Sequence, residues 1–262
     1  MPRLTDVSLV RSILERDRAW SAYALGDLSP ELAPFCEWHA SADGAALALV
    51  YRGFSPPILF GMGTPERLAS VIQDLDEPEL SLHLRLEAVP SLGPRFAPVD
   101  AKPMWRMVLD LAAFRPTGEA GVEPLGPAHA DEIVRLYGDG IDRDEVPTFF
   151  YPSMLEQGTF RGIRDEGDLV AVAGTHLCSA DFGVAAIGHV YTRFDRRGHG
   201  LATRVTGAVV SAIRARDVGT IVLNVRQTND GARRVYERLG FGCHCPFVEG
   251  LARTTVPRVV MP

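Results

Sequence analysis

The 262-residue sequence is poor in cysteine, has no long apolar run and carries no surplus of positive charge. Its four cysteines, Cys36, Cys178, Cys243 and Cys245, are too few and too irregular for a disulfide framework, so reduced thiols are expected. No stretch reaches signal-peptide or membrane-span length, so a cytoplasmic protein without a membrane partner is expected. Net charge is −6, which argues against a nucleic-acid surface and suits a cationic amine as substrate. Cys243-His244-Cys245 has a metal-like look. On a strand, however, the two cysteines share one face and the histidine takes the other, and structural zinc sites use wider spacings with a second ligand pair. No metal is expected.

Two nucleotide-binding signatures are also missing. The segment Arg197-Gly198-His199-Gly200-Leu201-Ala202 lacks the Lys-Ser/Thr ending of a P-loop and the three glycines of a dinucleotide fingerprint. What the segment does have is a strand before it, Val184 to Thr192, and a helical pattern after it. Leu201, Val205, Val209 and Ala212 recur at helical spacing, so one face of that helix is buried. A helix N-terminus offers unpaired amides and partial positive charge, and glycines let an anion approach the backbone. The segment therefore reads as a phosphate turn.

The composition, 46% hydrophobic and 23% charged, is that of an ordinary globular protein, and the length suits two domains. Residues 1–113 read as a helical start, strands at Cys36–Ala40, Ala45–Tyr51 and Ile58–Phe60, then a helix to about Leu75. Thr64 is its N-cap and Pro65 its first residue. Strands at Leu82–Val89 and Met104–Leu111 follow. Residues 114–123 read as a linker.

Residues 120–262 read as a helix from Pro127 to Tyr137, a loop at 138–147 and a second helix from Thr148 to Glu156. Strands at Thr159–Ile163, Leu169–Leu177 and Val184–Thr192 come next. The phosphate turn and a helix to Arg216 follow, then a strand at Thr220–Val225, a helix from Asn229 to Leu239 and strands from Gly242 onward. The halves share this order, so a tandem of two similar folds is expected; an unrelated α/β cap domain is the alternative for the first.

A second segment runs from Leu223 to Phe241. Asn229 is a candidate N-cap, Ala232, Val235 and Leu239 form an apolar stripe, and Gly240 suits the helix end. Tyr236 lies two turns after Asn229 near the same face. Together the two segments resemble the GNAT acetyltransferase superfamily. Arg197, Gly200 and Ala202 match its phosphate-turn pattern; Asn229, Ala232, Tyr236 and Leu239-Gly240-Phe241 match its later pattern. The resemblance covers about residues 120–250. It implies an α/β GNAT fold, with a mixed, mostly antiparallel sheet flanked by helices. The first half has no matching turn, so a GNAT-like fold there implies no cofactor site.

The resemblance further implies acetyl-CoA as co-substrate. Backbone amides of Arg197, Gly198, His199, Gly200, Leu201, Ala202 and Thr203 would hold the pyrophosphate. Val190, Tyr191 and Thr192 would line the pantetheine arm, and a strand amide would polarise the acetyl carbonyl. Asn229 and Ala232 flank the same arm. Tyr236 is the implied acid for the departing thiolate. The acceptor is the amine of a small molecule or peptide. Some relatives use a strand Glu as base where this chain has Ala186, leaving His189, His176 or a water chain. Cys178 reads as strand packing rather than as a nucleophile. Phe149, Phe150 and Tyr151 are candidate acceptor walls, and Asp142, Asp144 and Glu145 a candidate lure for a cationic amine. A non-catalytic acyl-CoA-binding module, or transfer of another acyl group, stays open, as does monomer or homodimer.

Overall fold

Apolar periodicity sets most of the secondary structure. In chain order the elements are α1 (Val7–Leu14), α2 (Ala22–Gly26), β1 (Cys36–Ala40), β2 (Leu47–Tyr51), β3 (Ile58–Met62), α3 (Pro65–Ile72), β4 (Glu79–Arg85), β5 (Phe96–Leu109), β6 (Val122–Pro124), α4 (Ala130–Gly138), β7 (Arg161–Asp165), β8 (Asp168–Ser179), β9 (Val184–Thr192), α5 (Leu201–Arg214), β10 (Thr220–Arg226), α6 (Asp230–Leu239) and β11 (Phe241–Thr254). The structure, a computed structural model, describes residues 3–143, 145, 147 and 149–255.

The chain folds into two units. One takes the chain through Arg106, Arg226–Thr228 and the chain from His244 onward; the other takes Met107–Val225 and Asn229–Cys243. The last strand thus divides: its segment Phe247–Arg253 pairs antiparallel with Arg85–Glu79 of β4 in the first unit.

In the first unit β1, β2 and β3 form an antiparallel meander, and β3 then pairs in parallel with β4. A parallel neighbour needs a crossover, and α3 supplies it. Thr64 accepts the Arg67 amide as N-cap and Pro65 starts the helix, so the helix start matches its sequence signal. Leu68, Val71 and Ile72 then bury one face of α3 among Leu59, Leu82 and Leu84.

The second unit repeats the order. β6, β7, β8 and β9 run antiparallel, and β9 pairs in parallel with β10 after the α5 crossover. Helix α5 packs on β7, β8 and β9, with Val205, Val209 and Ile213 fully buried. Helix α4 buries Ile133, Leu136 and Tyr137 against Val172, Leu169 and Tyr191.

Strand β5 starts at Phe96 rather than at the expected Met104, and β6 takes the end of the expected linker; two further departures involve proline. The strand expected at Leu82–Val89 ends at Arg85 and becomes a 3-10 turn over Leu86–Leu92. Pro90, without an N–H, cannot join a ladder there. In the second unit, Thr148, the expected start of a helix to Glu156, lies outside the described residues. Regular structure begins at Pro152 as a 3-10 turn to Gln157, because Tyr151 before the proline is extended (φ −119°, ψ 133°).

Candidate active site

Strand β9 carries the site. Its parallel ladder with β10 runs only from Val184/Thr220 to Ile187/Leu223. Past that point β9 and β10 have no parallel pair, so the two strands open toward Thr192 and Val225. On the other edge, Gly188 faces Gly174 and Tyr191 faces Val172, which leaves one extra residue on β9. This is a bulge, and His189 sits in it at φ +57°. A non-glycine residue in that conformation costs on the order of 1–3 kcal/mol and persists only where its surroundings hold it. The Tyr137 hydroxyl donates to the His189 carbonyl at 3.2 Å and fixes the bulge to α4.

Beyond Thr192 a 3-10 turn over Phe194–Arg196 leads to Gly198 and Gly200, at φ +82° and +75°. A side chain on either glycine would strain the backbone, although the space above both is open to 4 Å. Helix α5 starts at Leu201, and its first bond to the turn is Arg204 N–H to the Gly200 carbonyl. The amides of Gly198, His199, Gly200, Leu201, Ala202 and Thr203 have no partner among the described residues. Six free N–H donors at an exposed helix N-terminus form a cradle for phosphate oxygens.

The turn is braced from α4 and its loop. Asp139 accepts from the Tyr191 hydroxyl at 2.8 Å and from the Phe194 amide at 2.9 Å. The Phe194 amide, more than Tyr191, holds the Asp139 carboxyl below the usual range. Arg197 reaches back to the Thr192 carbonyl at 3.1 Å, lies over the rings of Tyr191 and Phe194, and pairs with Glu145. Glu145 is therefore committed to Arg197, and is not a free lure for an amine. Asp142 is exposed in a 3-10 turn. Asp144, named with it, lies outside the described residues. Sequence reasoning missed Tyr137 and Asp139; Asp139 sits between Gly138 and Gly140 and looked like loop charge.

Helix α6 packs on α5. Asn229 caps it by accepting the Ala232 amide at 3.0 Å, and Gly240 ends it at φ +101°. Tyr236 is buried at 7% exposure beside Phe241, and burial pushes its phenol up to about 12. Ala232 is half-buried.

The aromatic walls gather around the bulge. The His189 ring is 3% exposed and lies within 6.0 Å, centroid to centroid, of Phe149, Phe150, Phe160 and His176. Neither of its ring nitrogens has a hydrogen-bond partner. Burial, helped by His176, pushes this imidazole down to about 2. It stays neutral at ordinary pH and cannot take up an amine proton, so it fails as the base that the sequence offered. His176 is only partly buried, and Tyr151 is exposed. Burial raises the Cys178 thiol, against Arg216. Ala186 is fully buried. Among the described residues no group of three or more His, Cys, Asp or Glu is placed to hold a metal ion. Cys243 is exposed, Cys245 is buried and His244 bonds Asp17 at 2.9 Å.

A sequence model of the acetyltransferase (GNAT) family matches residues 130–241, from α4 through the turn to the end of α6. That stretch is a GNAT acetyltransferase domain. It covers less than half of the chain. Solved structures extend the fold likeness to nearly all of it. A GNAT-family protein from Novosphingobium aromaticivorans is 22% identical with TM-score 0.63, over 92% of this chain and all of that one. A Drosophila protein is 11% identical with TM-score 0.66, over 97% of this chain and 98% of that one. A GCN5-related N-acetyltransferase from Sphaerobacter thermophilus is 18% identical with TM-score 0.59, over 99% and 97%. At these identities the likeness is one of fold. No curated protein matches the sequence. The GNAT family supports an acyl-CoA-dependent transferase in general. Among the described residues no helix is long and apolar enough to cross a membrane.

Proposed function

We propose that the GNAT domain transfers the acetyl group of acetyl-CoA to the amine of a small molecule or peptide. The observation that carries this reading is the run of six unpartnered amides from Gly198 to Thr203 beside the opening between β9 and β10. These amides suit the pyrophosphate. The free edge of β9 at Val190–Thr192 suits a pantetheine arm, which can continue the ladder that β10 abandons. Thr192 Oγ1 is buried without a partner on that stretch and adds one more unused polar group.

The amine attacks the thioester carbon, the C–S bond breaks, and the amine's proton ends on the CoA sulfur. Tyr236 keeps its own proton at any ordinary pH. Passing it outright to a thiolate of pKa about 8.5 would run uphill by roughly 3–4 units. Its role is therefore to donate a hydrogen bond to sulfur as charge builds, a fixed donor that serves the transition state. Asn229 holds the start of α6, which sets Tyr236 in place. Proton removal from the amine falls to His176 or to water, because burial leaves the His189 imidazole too weak a base. The aromatic walls at Phe149 and Phe150 favour an acceptor with an apolar body. The first unit is a GNAT-like domain without a cofactor site, and the protein acts in the cytoplasm as monomer or homodimer.

The test mixes the full-length protein with acetyl-CoA and a panel of primary amines and follows free thiol. Turnover on an amine with an apolar body, together with a thermal shift from acetyl-CoA alone, is expected. A thermal shift with no turnover on any amine would favour a second reading, a non-catalytic acyl-CoA-binding module. That reading is motivated by His189, the imidazole nearest the bulge, being unable to act as base.

A further inference from the structure

We propose that the first unit binds a small organic carboxylate at Arg106, with an aromatic or otherwise apolar body on the anion. Arg106 is fully buried, at 0% exposure. One of its nitrogens, Nη2, lies 2.7 Å from His83 Nε2. Its guanidinium carbon lies 4.8 Å from the Tyr23 ring, 5.4 Å from Trp20 and 5.6 Å from Phe247. Nε and Nη1 have no hydrogen-bond partner, and no acid forms an ion pair with Arg106 among the described residues.

A guanidinium keeps its charge in proteins and offers five N–H donors. Buried charges are otherwise found paired, because an unpaired one forfeits its hydration without return. Ring faces attract the cation, by roughly 2 kcal/mol or more for a desolvated contact, but they leave in-plane N–H groups without acceptors. Those donors call for oxygens. The acids closest in the chain's own pattern are already engaged. Asp17 is held by Arg85 and by His244, and Glu249 faces His83 Nδ1 at 3.7 Å.

The surroundings fit an organic anion better than a bare ion. Trp20 stacks on Phe60 at 5.4 Å and meets Phe247 at 5.6 Å, so the walls are aromatic. The Trp20 indole donates to the Gly61 carbonyl at 2.9 Å, one residue past the last β3–β4 pair at Phe60/His83. The cluster therefore stands where the parallel pair opens. Tyr23, the ring nearest the guanidinium, and His83 are only partly buried. Nothing in this inference depends on the acyl-transfer reading.

Thermal unfolding of the full-length protein at fixed ionic strength tests it, with benzoate as probe, benzamide as the neutral control of the same shape, and inorganic phosphate as the second anion. Benzoate should raise the midpoint saturably and benzamide should not. Arg106→Met should fold cooperatively, with a wild-type circular dichroism spectrum, and lose the benzoate shift. Should Arg106→Met not fold, Arg106→Lys, which keeps the charge but not the planar donors, should weaken benzoate by about tenfold or more. Trp20 emission in the wild type, read against Trp20→Phe, should titrate with the same midpoint concentration. Equal shifts from benzoate and benzamide, a phosphate response without a benzoate response, or a benzoate shift retained in Arg106→Met would each overturn the proposal.

Discussion

The two units reach the same point in their folds and treat it in opposite ways. In each, the last strand of the antiparallel run leads through a helix to a parallel neighbour. In the first unit only Gly63 and Thr64 separate β3 from α3; in the second, residues 193–200 separate β9 from α5. The short link closes its helix start. Pro65 has no N–H, Thr64 takes the Arg67 amide, and a Cβ on Gly63 would stand 2.8 Å from Ala46 Cβ. The long link leaves six amides and open space. The fold therefore supplies a helix N-terminus twice, and link length with capping decides whether it can hold an anion. A second parallel runs the other way. Trp20 donates to Gly61 and Tyr137 donates to His189, each just beyond the parallel-paired part of its strand. Both units hold the opening between parallel strands with an aromatic donor.

The largest expected effect breaks this comparison at the turn itself. Gly200→Asp puts a carboxylate into the cradle and should weaken acetyl-CoA at least ~100-fold, about 2.7 kcal/mol, by calorimetric titration. Its fold should survive, since an added Cβ meets nothing within 4 Å and the left-handed φ costs roughly 1–2 kcal/mol. Gly63→Ala, at φ +121° and in contact with Ala45 and Ala46, should do the reverse. It should cost about 1–3 kcal/mol in urea unfolding and leave binding unchanged.

Next comes Tyr236→Phe. The rate constant kcat for the amine should fall roughly 10- to 100-fold, with KM for acetyl-CoA nearly constant, because only a transition-state donor is lost. An equal rise in KM instead would make Tyr236 a packing residue.

His189 gives a smaller, pH-dependent effect. Its folded value of about 2 lies below the reference 6.5 of an unfolded chain. Below about pH 6.5 the unfolded state binds a proton that the folded state refuses, so stability falls as pH falls, down toward pH 2. The slope approaches 1.4 kcal/mol per pH unit for this one group. Urea unfolding at pH 7.5 and 5.5 should show it in the wild type, and less of it in His189→Phe.

Smallest are the caps. Asn229→Ala and Thr64→Ala should each cost about 1 kcal/mol of stability. Only the first should also change acetyl-CoA binding, because the proposed site includes Asn229 and not Thr64.

The local structure of the candidate site was legible where nearby residues encode it. The turn at 197–202, the Asn229 cap, the Gly240 stop and the Thr64-Pro65 start all rest on residues within a few positions of each other. Long-range pairing was not legible. Nothing in the alternation of Phe247–Arg253 names β4 as partner, so the last strand's place in the first unit stayed hidden. The bulge was hidden as well, because His189 reads as one more strand residue and its φ of +57° comes from the tertiary hold of Tyr137. Arg106 lies in a strand that looks ordinary, and only burial singles it out. The helix expected from Thr148 to Glu156 was misjudged because it was carried across Pro152, which cannot donate, and the strand expected at Leu82–Val89 was carried up to Pro90 although it ends at Arg85.

The most direct measurement is the stoichiometry of acetyl-CoA on the full-length protein by calorimetry, in the wild type and in Gly200→Asp. One molecule per chain, abolished by the substitution, is expected if the cradle of the second unit is the acyl-CoA site and the first unit has closed its own. Two molecules per chain, or one molecule retained at the same affinity in Gly200→Asp, would contradict it.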